Sequence, residues 1–184
     1  MLLNFDSVLE AIISSKTRIK LLLKFFLNSN NIAYLRGLEA EFGDSSNAIR
    51  VELNRLEEAG LLVSFTDGNK KFFQANTGHP LFGEIHNILM KTIGLDQVID
   101  QVINNLGKVE RIFLAGEFAR GLDNPIIDLI FIGDIDRAYL AQVVDKMERL
   151  VKRKIRYVIY SVDEFQEMDW SKFQPQPFPL WIRA

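Results

Sequence analysis

The sequence contains no cysteine, which removes disulfides, thiolate nucleophiles and cysteine-based zinc sites together. Histidine is almost as scarce. Only His79 and His86 occur, no HExxH pair or Ser/His/Asp spacing surrounds them, and both are read as structural or solvent-facing. No segment approaches the roughly 18 uninterrupted apolar residues of a membrane span. The start Met1-Leu-Leu-Asn-Phe-Asp lacks the basic opening and apolar run of a signal peptide. A soluble, cytoplasmic protein with no membrane partner is therefore expected. No sign of charge dominates either: 22 Lys+Arg stand against 24 Asp+Glu, a net of −2.

What is present fills 184 residues, 48% of them hydrophobic, enough for one good core or two small ones. The pattern changes suggest two domains. These are residues 1–78, a helical connector over 79–107, and residues 108–184.

The N-terminal part carries regular signals. Thr17 to Asn28 places Ile19, Leu22, Leu23, Phe26 and Leu27 at helical spacing, with Lys16, Arg18, Lys20 and Lys24 on the other side. A second helix is predicted from about Ala33 to Phe42, ending at Gly43. Asp44, Ser45 and Ser46 supply N-cap candidates for a third, which stops at Gly60. Leu61 to Phe65 reads as a strand, Thr66-Asp-Gly-Asn69 as a hairpin turn and Lys70 to Ala75 as the returning strand. Helix, short turn, helix and hairpin make a winged helix-turn-helix plan.

These features, with Tyr34-Leu-Arg, NAIRVELNRLEEAGLL and the hairpin, resemble the winged-helix domain of bacterial arsenic-repressor-like transcriptional regulators over residues 14–76. The resemblance implies double-stranded DNA as partner. In the third helix Ile49, Leu53 and Leu56 form the packing stripe, with Ala48 beside it, while Asn47, Arg50 and Asn54 lie outward. The N-terminal half of such a helix enters the major groove, which places Ser45, Ser46, Asn47 and Arg50 at phosphates and base edges. Lys70 and Lys71 on the wing, with Tyr34 and Arg36, are expected on the backbone. Residues 14–76 hold nine Lys/Arg against seven Asp/Glu, so modest affinity per subunit is expected. Glu52, Glu57 and Glu58 would oppose phosphate if they faced it. A winged helix serving as a protein-interaction scaffold remains the alternative. Phe5 to Ile13 and Pro80 to Leu106 are helix-prone and apolar; in the regulators resembled such flanks pair two subunits, so a homodimer is expected, although the stripes could equally pack within one chain.

The C-terminal part reads as α/β. Strands are predicted at Val109–Ala115, Ile126–Ile132 and Ile155–Val162, with a short helix or turn at 117–122 and a long helix from Asp136 to Lys152. A short helix capped by Asp163 follows. The proline-rich tail FQPQPFPLWIRA is expected to lie as a strap on a surface, or to bind a partner. The segment GEFARGLDNPIIDLIFIGD, with Gly116, Ala119, Arg120, Gly121 and Asp128, resembles the polymerase-β-like nucleotidyltransferase superfamily in its minimal members, and the continuation after Ala75 looks like a subgroup in which that domain is fused to the winged helix. The family pattern is Gly-Ser followed by Asp-x-Asp in a hydrophobic strand, with a third carboxylate on a later strand. Here Glu117 replaces Ser, Ile126 replaces the first Asp, and 155–160 offer no acid.

One ligand of three argues against two-metal catalysis. The expected fold is therefore α+β, an N-terminal winged helix-turn-helix plus a nucleotidyltransferase-like domain with a small mixed sheet. The expected function is a DNA-binding regulator whose second domain is not an enzyme, needs no cofactor, and either senses a nucleotide or other small ligand through Gly116, Glu117, Arg120 and Asp128 or only stabilises the dimer. An active enzyme using Asp123, Asp134 or Asp136 is the alternative.

Overall fold

A computed structural model describes residues 5–105 and 107–183; Met1–Asn4, Leu106 at the end of the expected connector, and Ala184 lie outside the described residues. The protein is mixed α+β with two small sheets, and the chain divides between Thr92 and Ile93 into two compact units. No helix among the described residues is long and apolar enough to cross a membrane.

The first unit opens with α1 (Phe5–Ile12) and α2 (Lys16–Leu22), the latter capped by the Ser15 hydroxyl. Helix α2 runs into a π turn over Leu23–Leu27. The extra residue in that turn brings all five side chains inward, so Lys24, expected on the polar side, is buried and held by Glu41 at 2.8 Å. The next helix begins later than its composition suggests. Ala33 and Tyr34 form a two-residue strand, β1, paired antiparallel with Phe73 and Phe72, and α3 covers Leu35–Phe42.

Helix α4 (Ser46–Glu58) starts where Ser45 accepts the Ala48 N–H at 3.2 Å, and buries Ile49, Leu53 and Leu56. The hairpin β2 (Leu62–Asp67) and β3 (Lys70–Ala75) follows, in sheet order β1-β3-β2. Asp67 pairs with Lys70, so the loop is Gly68-Asn69, one step beyond the Asp-Gly pair that the sequence favours. Leu21, Phe25, Phe26, Leu38, Ile49 and Leu53 are almost wholly buried and form this unit's core. Helix α5 (Phe82–Ile93) closes it, with His86 Nδ1 2.8 Å from the Phe26 carbonyl. His79 Nδ1 accepts the Leu81 N–H at 3.1 Å.

The expected connector is thus two helices interrupted at Gly94, α5 with the first unit and α6 (Leu95–Asn105) with the second. The second unit continues with β4 (Gly107–Ala115), α7 (Gly116–Ala119), β5 (Ile126–Ile135), α8 (Arg137–Val151), β6 (Lys154–Tyr160), α9 (Val162–Glu167) and β7 (Phe178–Ile182). Its sheet is mixed, in the order β6-β5-β4-β7, with β5 antiparallel to β4 and parallel to β6. Helix α6 packs against α8 and β4, and α8 against β6, burying Leu140, Val143, Val144 and Met147.

Two expectations change here. Ser161, not Asp163, caps α9 and forms a reciprocal capping box with Glu164. The tail is an edge strand rather than a strap: β7 pairs with β4 alone, and Pro179 sits opposite Phe113 beside a register shift. Proline donates no N–H, which an edge tolerates and a central strand does not.

Candidate functional site

Four elements of the first unit meet around a groove of about 480 Å³. Strand β1 and the first turn of α3 supply Tyr34 and Arg36, α4 supplies Arg50 and Asn54, and β3 supplies Lys70 and Lys71. All six were candidates for DNA contact. Ser45, Ser46 and Asn47 lie at the start of α4 and do not line the groove, with Ser45 engaged as the cap. Asn69, in the hairpin loop, lines it and was missed, because its place depends on the turn closing one residue later than expected.

The electrostatics separate these cations. Arg36 and Arg50 are exposed and have no acidic partner among the described residues. Lys70 sits over the Tyr34 ring at 4.6 Å, and that ring packs edge-on against Phe72. The lysine is thereby steered towards the groove without being neutralised. Lys71 is tied to Glu57 at 2.7 Å and lies over Phe73 at 5.0 Å.

The acids on α4 are accounted for individually. Glu52 is buried, with Arg18 at 2.8 Å and Arg55 at 3.3 Å. Glu57 accepts from Lys71 and Ser64. Glu58 is exposed. Two of the three carboxylates feared to repel phosphate are therefore matched inside the fold.

Burial would push the Glu52 carboxyl up, but hydrogen bonds from Arg18 and Ser15 and the charges of Arg18 and Arg55 outweigh it and hold it below its ordinary 4.5. Lys20 is the main cause lowering Asp44 from 3.8, and Lys71 the main cause lowering Glu57 from 4.5. A carboxyl lowered in the folded state contributes stability above its unfolded value and loses it as pH falls through the folded one. The first unit's melting point, followed by circular dichroism, is accordingly expected to hold on acidification until those ordinary values and to fall below them. In Arg18→Met the buried Glu52 loses its strongest compensating partner, so the variant is expected to melt below the unaltered protein where Glu52 is ionised, and the gap to narrow as acid protonates it. An identical pH profile for the two proteins would contradict the assignment.

In the second unit the nucleotide-site candidates come together at the end of β4. Gly116 follows Ala115, which pairs with Asp128 on β5. Its φ is +62°, and a Cβ there would lie 2.2 Å from Asp128 Oδ2, so only glycine fits against the carboxylate. Asp128 is not open. Arg156, beside it in the parallel β5–β6 register, donates from Nε at 2.6 Å to Oδ1 and from Nη2 at 3.0 Å to Oδ2. An arginine thus occupies the strand where the resembled pattern carries a third carboxylate, and it clamps Asp128 in bidentate fashion. That residue was missed: the missing acid on β6 is readable, whereas its cross-strand partner requires the register.

Arg120 Nη1 donates to Glu117 at 3.2 Å, one turn apart, so these two also partly neutralise each other. Asp123 pairs with Arg153 at 2.8 Å, Asp136 caps α8, and Asp134 lies opposite Lys108 at the far end of β5. No group of three His, Asp or Glu able to hold a metal occurs among the described residues. The sheet face that carries Asp128 also carries Ile130 and Ile132, and with Phe113 these are covered by Phe165, Trp170 and Phe173. Trp170 lies 5.1 Å from both Phe113 and Phe173.

No family model, curated protein or solved structure matches this chain.

Proposed function

We propose that the chain is a DNA-binding transcriptional regulator: a winged helix-turn-helix first unit followed by a nucleotidyltransferase-like second unit without catalysis. The observation that carries the first half is the convergence of Tyr34, Arg36, Arg50, Asn54, Lys70 and Lys71 from four elements on one groove. Cations to meet phosphates, and an arginine and an asparagine able to read base edges, are what duplex recognition requires. The inward pairing of Glu52 and the Lys71 contact of Glu57 remove much of the repulsion that would oppose it. Retardation of duplex DNA by the full chain tests this, with Arg50→Ala as the decisive variant.

Two subunits acting on paired half-sites suit the modest charge of one unit. Ile12 on α1 and Leu81 and Ile88 beside and on α5 are 75%, 55% and 52% exposed, apolar surface available to a second copy. Sedimentation equilibrium that gives only the 21.2 kDa species would remove the homodimer.

For the second unit, absent turnover is supported by the Asp128–Arg156 clamp. The mutual pairing of Glu117 with Arg120 favours a structural, dimer-supporting role over nucleotide sensing. Incubation with labelled nucleoside triphosphates, Mg²⁺ or Mn²⁺ and candidate acceptors is expected to yield no transfer; transfer abolished by Asp128→Ala would make this unit an enzyme.

A further inference from the structure

Six of the eleven residues from 146 to 156 are Lys or Arg and one is acidic. This run ends α8 and enters β6, where a shallow cleft of about 300 Å³ is lined by Pro125, Glu148, Arg149, Lys152, Arg153 and Lys154. The cations there fall into two classes. Arg153 is fixed as a wall, 2.8 Å from Asp123, 2.6 Å from the Asn124 carbonyl and over the Phe118 ring. Lys154 holds Glu148 at 2.7 Å, and that carboxylate also accepts the Ile155 N–H, so the single acid of the cleft is neutralised. Arg149 and Lys152 have no acidic partner among the described residues.

Lys152 is also the residue that the backbone suits least. Its φ of 55° and ψ of 32° place it in the left-handed region, and it is the sole non-glycine with positive φ among the described residues. Glycine or asparagine is favoured at such a helix end. A cation near the helix C-terminus does favour the dipole, but Arg149 already stands in the last turn. A side chain kept in a disfavoured conformation points to a use for that side chain.

We infer that this cleft is a second phosphate-contact surface, through which Arg149 and Lys152 of the second unit bind the backbone of duplex DNA. The inference rests on the DNA-binding reading of the first unit and addresses a shortfall there. In the groove only Arg36, Arg50 and Lys70 are cations without an acidic partner among the described residues. With Arg50 on a base edge, Arg36 and Lys70 leave two phosphate contacts per protomer and a shallow salt dependence, because the slope of log K against log salt is about −0.9 per phosphate neutralised. Two further contacts deepen it by about 1.8 per protomer.

The test is fluorescence anisotropy of the full chain on a labelled duplex over a range of salt. Arg149→Ala with Lys152→Ala is expected to flatten the slope by about 1.8 per protomer, and Lys152→Gly by about 0.9. Arg137→Ala, at the other end of α8, leaves it unchanged. Lys152→Gly suits the left-handed backbone, so its unfolding midpoint, read by tryptophan emission, is expected not to fall while its DNA binding weakens. An unchanged slope in the double variant overturns the inference, as does loss of inorganic pyrophosphate binding in that variant with the DNA slope intact. Failure of the first-unit reading gives a different pattern: binding indifferent to Arg50→Ala but still sensitive to the cleft substitutions.

Discussion

Arg50→Ala is expected to weaken binding of the full chain to its specific duplex by about five- to 150-fold, the equivalent of losing one bidentate base contact at about 1–3 kcal/mol. Arg50 is exposed on the outward face of α4 and lines the groove, while Ile49 and Leu53 beside it hold the helix to the core. Its removal is therefore expected to change recognition rather than folding. The loss is expected at specific sequences far more than at random ones, because a base contact discriminates and a phosphate contact does not. Lys70→Ala should behave oppositely, weakening all duplexes about equally and reducing the salt slope by about one. Lys71→Ala should cost less than Lys70→Ala, because the Lys71 ammonium is already shared with Glu57 at 2.7 Å. Equal affinity of Arg50→Ala and the unaltered chain for the specific site, with equal salt slopes, would remove the groove as the recognition surface.

The contrast between Lys70 and Lys71 shows what a sequence conveys about such a site and what it withholds. Helix α4 is legible because its signals are local: the Ser45 cap, the spacing of Ile49, Leu53 and Leu56, and the Gly60 stop. Which lysine is unpaired is not local. It depends on Glu57 lying across from β3, and on Tyr34 being brought to Phe72 by the two-residue pairing of β1. Composition does not announce a two-residue strand, so Ala33 and Tyr34 read as the start of the helix they precede.

The same division holds in the second unit. That Glu117 and Ile126 depart from the nucleotidyltransferase-like pattern is plain from the residues alone, whereas the Arg156 clamp on Asp128 exists only because β5 and β6 run parallel in one register. Three prolines in the tail argue against a central strand, and at 178–182 it is the outer edge of β4, where a missing N–H costs little, that admits an edge one. Lys24 was misplaced for a similar reason: the π turn rotates it inward to Glu41, and no side-chain periodicity of an α-helix foresees an added residue in the turn.

Gly133→Ala is expected to be the most damaging single-methyl change in the second unit. Gly133 has φ +143° and pairs with Val109 where the β4 register shifts past Glu110. A Cβ at this position would stand 2.1 Å from the Lys108 carbonyl oxygen and 3.1 Å from the Glu110 nitrogen. Both obstacles are backbone, so no rotamer relieves them and the β4–β5 ladder itself has to move. Left-handed strain of about 1–3 kcal/mol and overpacking of about 1–3 kcal/mol act together, a loss of several kcal/mol. At Gly116 the obstacle is the Asp128 side chain instead, and in Gly116→Ala part of the loss is expected to be recovered by adding Asp128→Ala. Gly133→Ala has no such rescue. Both tryptophans of the chain, Trp170 and Trp181, belong to the second unit, so tryptophan emission during urea unfolding reports that unit selectively. The midpoint of this transition is expected to drop sharply in Gly133→Ala, far more than in Gly116→Ala with Asp128→Ala. A midpoint within experimental error of the unaltered chain would mean that β4 and β5 do not approach as closely at the bulge as this register requires.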